Sequence, residues 1–393
     1  MRLLSHMSLS FAVLAVVVAG PANASAHDRT ADGVAVHSTG YVYLDNNTAG
    51  TNTISGFSRS ANGALTALPG SPFVAGGAGL GAGIATQGAV RTADDGQYLL
   101  AVDAGSNQIS VLRIGADGSL TPVPGSPFAS GGVEPDSIAV NNGLVYVSNT
   151  GAGGTNYTGF TLSWGGQLRP IPGSTVWLPD GSGPGDVVLN GDNTKLVGTR
   201  VNTSLIDSFT LSRDERPDAA HGSPFAAQGV GPFGSQFRPT NPDQLFVSNA
   251  HNDVAAGTTG HGTISAFNDA PNGALTSIAG SPFADFQTAP CWLVVSPDGR
   301  YLYALDTGSG YISSYAIAPD GILRLLSNTP VSSTPGVTGT DIALSSDGRT
   351  LYLNMAKVDG VGEFAVHGGT VRQLPGSPVP ASGSGSTVGI TTS

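Results

Sequence analysis

Three aspartates, Asp136, Asp186 and Asp341, occupy similar places in a unit that returns about every fifty residues. Carboxylates spaced this way could ring a cation with oxygen ligands. Residues of the same kind also accept hydrogen bonds from backbone amides of a neighbouring unit. His251 and His261 lie in the longest loop of the chain, 249–263, and long loops often carry function. Their spacing is wider than zinc ligands usually show and no Cys or Glu is near, so neither a metal nor a cofactor is expected. Arg200, Arg238, His251 and Asp186 form the candidate catalytic set, in which an arginine would stabilise an oxyanion and the imidazole would act as general base. Gln87, Asp136, Gln236, Trp292 and Asp341 are the candidate ligand contacts, although Trp292 also suits a core position. Cys291 has no base beside it in sequence. Nucleophile-elbow, zinc-protease, phosphate-loop and dinucleotide motifs are absent from the chain.

These residues acquire positions from a repeated tetrapeptide. Gly-Ser-Pro-Phe begins at Gly70, Gly125, Gly222 and Gly280, and weaker copies begin at Gly173, Asn328 and Gly376. The gaps are 55, 48, 49, 58, 48 and 48 residues, so one structural unit is used seven times. The sixth unit shows the grammar. Cys291–Ser296, Tyr301–Leu305, Tyr311–Ile317 and Leu323–Leu326 read as short strands, with Pro-Asp-Gly turns after the first and third. Equivalent turns recur at Asn62-Gly63, Asp117-Gly118, Gly165-Gly166, Asn272-Gly273 and Gly368-Gly369, whereas the fourth unit carries 213–218 instead and is expected to lack the turn. Four antiparallel strands per unit make a propeller blade, and the fold class is an all-β seven-bladed propeller. A β-solenoid would need shorter coils, and fifty residues are too few for independent sandwiches. The first unit starts at its second strand, Tyr41. The segment 387–391 is therefore expected to supply its innermost strand and close the ring, with Val34–Val36 as the rival.

In such a ring, loops entering the innermost strand share a face with loops joining strands two and three. Ligands usually bind on that face. Gln87, Asp136, Ser137, Asp186, Gln236, Cys291, Trp292, Asp341 and Thr387 open innermost strands. The loops after second strands add Asp45, Asn46, Asp103, Asn149, Arg200, Asn202, His251, Asp306 and Lys357.

Residues 1–24 read as a signal peptide: Arg2, an apolar run 9–19, and small residues at Ala22 and Ala24. That run is too short to span a bilayer. Residues 25–393 form the single propeller domain, expected to be secreted or extracytoplasmic and monomeric. The net charge is −11 with two lysines, Lys195 and Lys357, which excludes a basic footprint for nucleic acid or anionic membrane. With Cys291 as the sole cysteine, no intrachain disulfide can form.

The YVYLDNN run at 41–47, the LTALPGSPF-type strand ends and the VSPDG turn at 295–299 resemble seven-bladed lactonase-like propellers, a group that includes 6-phosphogluconolactonases and carboxymuconate-cyclase-like enzymes. The resemblance covers the whole mature chain. It implies an Arg-His pair opening one innermost strand and a Glu, within an Asn-Glu pair, after the next strand. In the matching stretch, 232–253, Phe233-Gly234 stand where Arg-His would be. Asn249 is kept and Ala250 replaces the Glu. The expected function is binding of a small molecule or extracellular partner on the loop face over the channel. The alternatives are a lactone hydrolase or cycloisomerase with a rebuilt site, and a protein- or polymer-binding scaffold.

Overall fold

The computed structural model describes residues 39–93, 96–382 and 386–393. The signal peptide and Val34–Val36 lie outside them. The described residues belong to one compact unit. Within it are seven antiparallel sheets, each with strands in the order inner, second, third, outer. The first blade is built from both ends of the described chain. Gly389–Thr392 pairs with Gly40–Asp45, from Val42 opposite Thr392 to Asp45 opposite Gly389. The closing strand is thus the C-terminal one, shifted by a residue or two from the expected span.

Second strands are buried on both faces because each blade packs between two others. Val42, Tyr43 and Leu44 are fully buried, as are Tyr98, Leu99 and Leu100. This is why these strands read as continuous apolar runs rather than alternating ones. Their tyrosines also fasten blade to blade. The hydroxyls of Tyr43, Tyr146 and Tyr352 donate to carbonyls of Gly118, Glu215 and Gly63, in the outer turn of the following blade, at 2.9, 2.6 and 2.8 Å.

The tetrapeptide is an architectural device. In six blades the outer strand is split into two short pieces that both pair with the third strand, as Leu65–Ala67 and Phe73–Val74 do with Thr53–Arg59. The serine sits at the break. Its hydroxyl accepts the amide that the broken ladder leaves unpaired: Gly56 to Ser71, Val111 to Ser126, Ser208 to Ser223 and Ala266 to Ser281. The Ser-Pro bonds of these copies are cis. In blade six the motif has decayed to Asn-Thr-Pro-Val, and the outer strand runs unbroken over Leu323–Pro330.

One expectation is corrected. Blade four does have the outer turn, with Glu215 at a φ of 59° where other blades place glycine. The Glu215 amide donates to the Ser212 carbonyl at 2.9 Å, as Gly118 does to Gly115. The bond from Tyr146 to the Glu215 carbonyl holds a conformation that a non-glycine residue adopts only at some cost.

Candidate functional site

Innermost strands run from the loop face towards the opposite face. Pro135 opens its strand beside Asn149, at the loop between strands two and three, and Asn141 ends it beside Leu144. Residues that open these strands therefore sit at the loop-face mouth of the channel. There the chain does something no repeat pattern specifies. The connection from blade one to blade two, residues 75–89, is the longest between blades. It crosses the channel before entering Val90–Thr92.

This strap is bonded to four other blades. The Thr86 hydroxyl donates to the Asp136 carbonyl of blade three. The Gln87 amide donates to Gly185 of blade four at 2.9 Å. Gln87 Nε2 donates to the Ser235 carbonyl of blade five at 3.3 Å, and its Oε1 accepts the Leu293 amide of blade six at 2.9 Å. Trp292 Nε1 donates to the Thr86 carbonyl. Thr86 and Gln87 are buried. The channel is plugged at the loop face.

The plug accounts for the unusual residues in the stretch 232–253. A Cβ on Gly234 would lie 2.1 Å from Gln87 Oε1 and 2.8 Å from the Cys291 carbonyl, so no side chain fits there. Phe233 packs edge-on against Trp292, with ring centroids 5.3 Å apart. Ala250 is buried in the same apolar cluster as Val201, Phe233, Cys291 and Trp292. Where an acid–base pair would need polar surroundings and water, the chain has placed core. Burial pushes the Cys291 thiol up to about 12, which leaves it protonated and unreactive.

The candidate catalytic residues are not brought together. Arg200 is held in a bidentate pair with the buried Asp207, at 2.6 and 2.5 Å, and Tyr157 donates to the same carboxylate. This is the position where other blades join the ends of strands two and three with Asp103–Ser110 or Asp306–Ser313 bonds, so Arg200 serves the same latch. Arg238 ends the inner strand of blade five. It donates to the carbonyls of Gly299 and Ala318 at 2.8 and 2.9 Å, and to Gln244 Oε1 at 2.8 Å. His251 adjoins the other end of that seven-residue strand, so the two backbone positions are about 20 Å apart at the usual strand rise. The imidazole packs beside Gly231 and makes no side-chain hydrogen bond among the described residues. His261 is occupied by Thr258 at 2.7 Å.

The aspartates and glutamines work as ties between blades. Asp186 accepts the Ser235 amide and hydroxyl at 2.7 and 2.9 Å, and the Ser137 hydroxyl at 3.1 Å. Asp341 accepts the Ile390 amide at 3.0 Å and so ties blade seven to the closing strand. Gln236 accepts the Val295 amide at 2.7 Å. Asp136 differs, accepting the Ser148 hydroxyl of its own blade at 2.6 Å. Among the described residues, no group of three or more metal-ligating side chains converges.

Complete burial raises these carboxyls, Asp136 to about 8 and both Asp186 and Asp341 to about 7, and Asp45 behaves like Asp136. Between the unfolded value of 3.8 and these folded values the native state binds more protons than the unfolded chain. Stability should therefore be greatest at the acid end of this window and fall as pH rises through 7 and 8. We expect a Tm at pH 5.5 several degrees above that at pH 8.5 in matched ionic strength. A flat or inverted profile in differential scanning calorimetry would contradict it.

Beyond the plug the channel is not filled. A cavity of about 370 Å³ occupies its other half, bounded by Gln87 and Ser235 at the strap end and by Asn190, Gly191 and Pro239 at the far mouth. Of the candidate residues, Gln87, Gln236 and Arg238 line it, and Asp136, Asp186, His251, Trp292, Asp341 and Arg200 do not. Arg91 also lines it and was not anticipated. A charged residue inside the short inner strand Val90–Thr92, at the register where blades three, four, six and seven carry Ala139, Val188, Val294 and Ala343, is the signal that could have identified it.

Residues 244–355 match the sequence profile of the family described as Lactonase, 7-bladed beta-propeller. No curated protein matches the chain. Among solved structures, a candidate 6-phosphogluconolactonase from Bacteroides fragilis superposes with a TM-score of 0.71 at 16% identity, covering 92% of this chain and 100% of that one. The periplasmic gluconolactonase of Pseudomonas aeruginosa superposes at 0.68 with 17% identity, covering 90% and 98%. At such identities the likeness is one of fold. With its seven closed blades the chain is a seven-bladed β-propeller, and over 244–355 it is similar to the seven-bladed lactonase family.

Proposed function

We propose that the protein is an extracytoplasmic lactonase-like propeller that binds a small molecule inside its channel, entered from the face opposite the expected one, and that it does not hydrolyse lactones at the loop face. The observation that carries this reading is the strap. Thr86 and Gln87 fill the loop-face mouth, while a cavity of ligand size lies beyond it. The extracytoplasmic location is supported by the apolar run and small residues before Ala24 and by the periplasmic source of the P. aeruginosa structure.

Gly191 offers a clean block. It lies at the far mouth, and a Cβ there meets nothing within 4 Å, so Gly191→Trp can fill the entrance without disturbing the sheet. In a thermal-shift metabolite screen, ligands that raise the Tm of the wild type should fail to raise that of Gly191→Trp. A lactone panel that includes 6-phosphogluconolactone should show no turnover above buffer. Turnover that His251→Ala lowers by two or more orders of magnitude, the size of a general-base effect, would instead establish a rebuilt loop-face site.

A further inference from the structure

The charged residues that line the channel cavity are both arginines, Arg91 and Arg238, and no carboxylate lines it. In a chain of net charge −11 this is a marked local reversal. The two arginines are not equivalent. Arg238 is engaged through Nε and Nη1 with the turn carbonyls of blade six and with Gln244. Arg91 donates only Nε, to the Ile138 carbonyl at 3.3 Å. Its terminal nitrogens have no protein acceptor among the described residues, and it forms no ion pair there. A guanidinium that is half-buried, walled by Ala139, Val188, Leu293 and Ile342, and left with its N–H fork unused is arranged for a planar anion.

The geometry points to a small organic monocarboxylate as the ligand of this cavity, bound through a two-point hydrogen bond to the Nη atoms of Arg91. This rests on the channel reading above and names its ligand class. Three features favour one negative charge on a flat group. First, the Arg91 charge already helps to hold down the buried carboxyls Asp186 and Asp341, so what remains suits at most a single negative charge and a phosphate dianion would enter under-compensated. Second, the Gln236 carbonyl oxygen is already committed to the Val295 amide, so its side chain presents its NH2 end to the cavity. Third, the carboxyls behind the wall, Asp186 and Asp341, feel the Arg91 charge but spend their oxygens on backbone amides of other strands, so neither takes a hydrogen bond from the fork. The cavity volume, about 370 Å³, leaves room for a substituent beyond the carboxylate.

Isothermal titration with acid–amide pairs of matched shape tests this: acetate and acetamide, lactate and lactamide, benzoate and benzamide, alongside inorganic phosphate. At least one acid should bind the wild type, its amide should bind about tenfold or more weaker, and Arg91→Met should lose the acid by the same factor while Arg91→Lys retains part of it, as expected when a hydrogen bond to a charged group is removed. The acid–amide contrast needs no variant, so it stands even if Arg91→Met is poorly folded. If acids and amides bind alike, and both are lost in Gly191→Trp, the carboxylate assignment is overturned and the channel reading survives. Phosphate binding tighter than every acid overturns the monocarboxylate in favour of a dianion. Binding that Gly191→Trp leaves untouched, or no binding by any probe, overturns both.

Discussion

Deleting residues 386–393 is expected to lower the Tm by about 10 °C or more and to make the protein aggregate. The segment is eight residues long, yet it touches three blades. Gly389–Thr392 is the inner strand of blade one. Asp341 of blade seven accepts the Ile390 amide, and the Thr92 hydroxyl of blade two donates to the Thr392 carbonyl at 2.8 Å. Val388 and Ile390 are each 2% exposed. Burying two such side chains contributes about 1.5–3 kcal/mol apiece. Their loss also bares the strand Gly40–Asp45, whose Val42, Tyr43 and Leu44 are apolar and whose ladder groups would lie unpaired. A kilocalorie corresponds to roughly 2–4 °C in a large domain, and the losses here sum to several. A truncated protein that melts within about 2 °C of full length and stays monomeric in size-exclusion chromatography would show that ring closure does not depend on this strand.

Replacing Lys195 with alanine is expected to cost about 3–5 kcal/mol, the usual result of stripping one partner from a buried ion pair. Lys195 is one of two lysines in the chain, and its side chain is 3% exposed between blades four and five. Its Nζ lies 3.2 Å from a fully buried Asp269 oxygen, donates to the Asp269 carbonyl, and reaches Asp243 at 2.9 Å. Asp243 is well exposed and adds little. Asp269 is the source of the cost, because burial already raises its carboxyl to about 6 while Lys195 holds it down. Without the ammonium the carboxyl rises further and must take a proton to stay buried. The penalty of Lys195→Ala should therefore be larger at pH 8 than at pH 5. Lys195→Met combined with Asp269→Leu should recover most of the stability, since neither charge is then stranded. Denaturant melts that place Lys195→Ala within 1 kcal/mol of wild type would mean the pair is solvated.

The blade count, the strand order within a blade and the closing strand were legible in the residues because each is specified locally or by repetition. Seven tetrapeptides marked seven outer strands, since in six blades a serine caps a broken ladder and blade six keeps a decayed copy at the same place. Asn62-Gly63 and Asp117-Gly118 marked outer turns, since glycine reaches positive φ freely there. The turn at Glu215 was missed for the converse reason: a carbonyl bond from Tyr146, 69 positions away, holds a backbone that the local residues do not favour. Asp186 and Asp341 could be placed at strand openings, but whether their oxygens faced a ligand or a neighbouring blade depended on which amide lay opposite.

Sequence alone determined that this chain is a seven-bladed ring closed by its C-terminus, and that Phe233, Gly234 and Ala250 depart from a catalytic pattern. Only the tertiary structure decided which end of the channel is open. Residues 75–89 are rich in glycine, and nothing in their composition says what they cross. The plug exists through bonds such as Trp292 to Thr86, between residues 206 positions apart that ring closure alone brings together. The same closure surrounds Arg91 with apolar walls and leaves its guanidinium fork unpaired, a property of the space between seven strands rather than of any one of them.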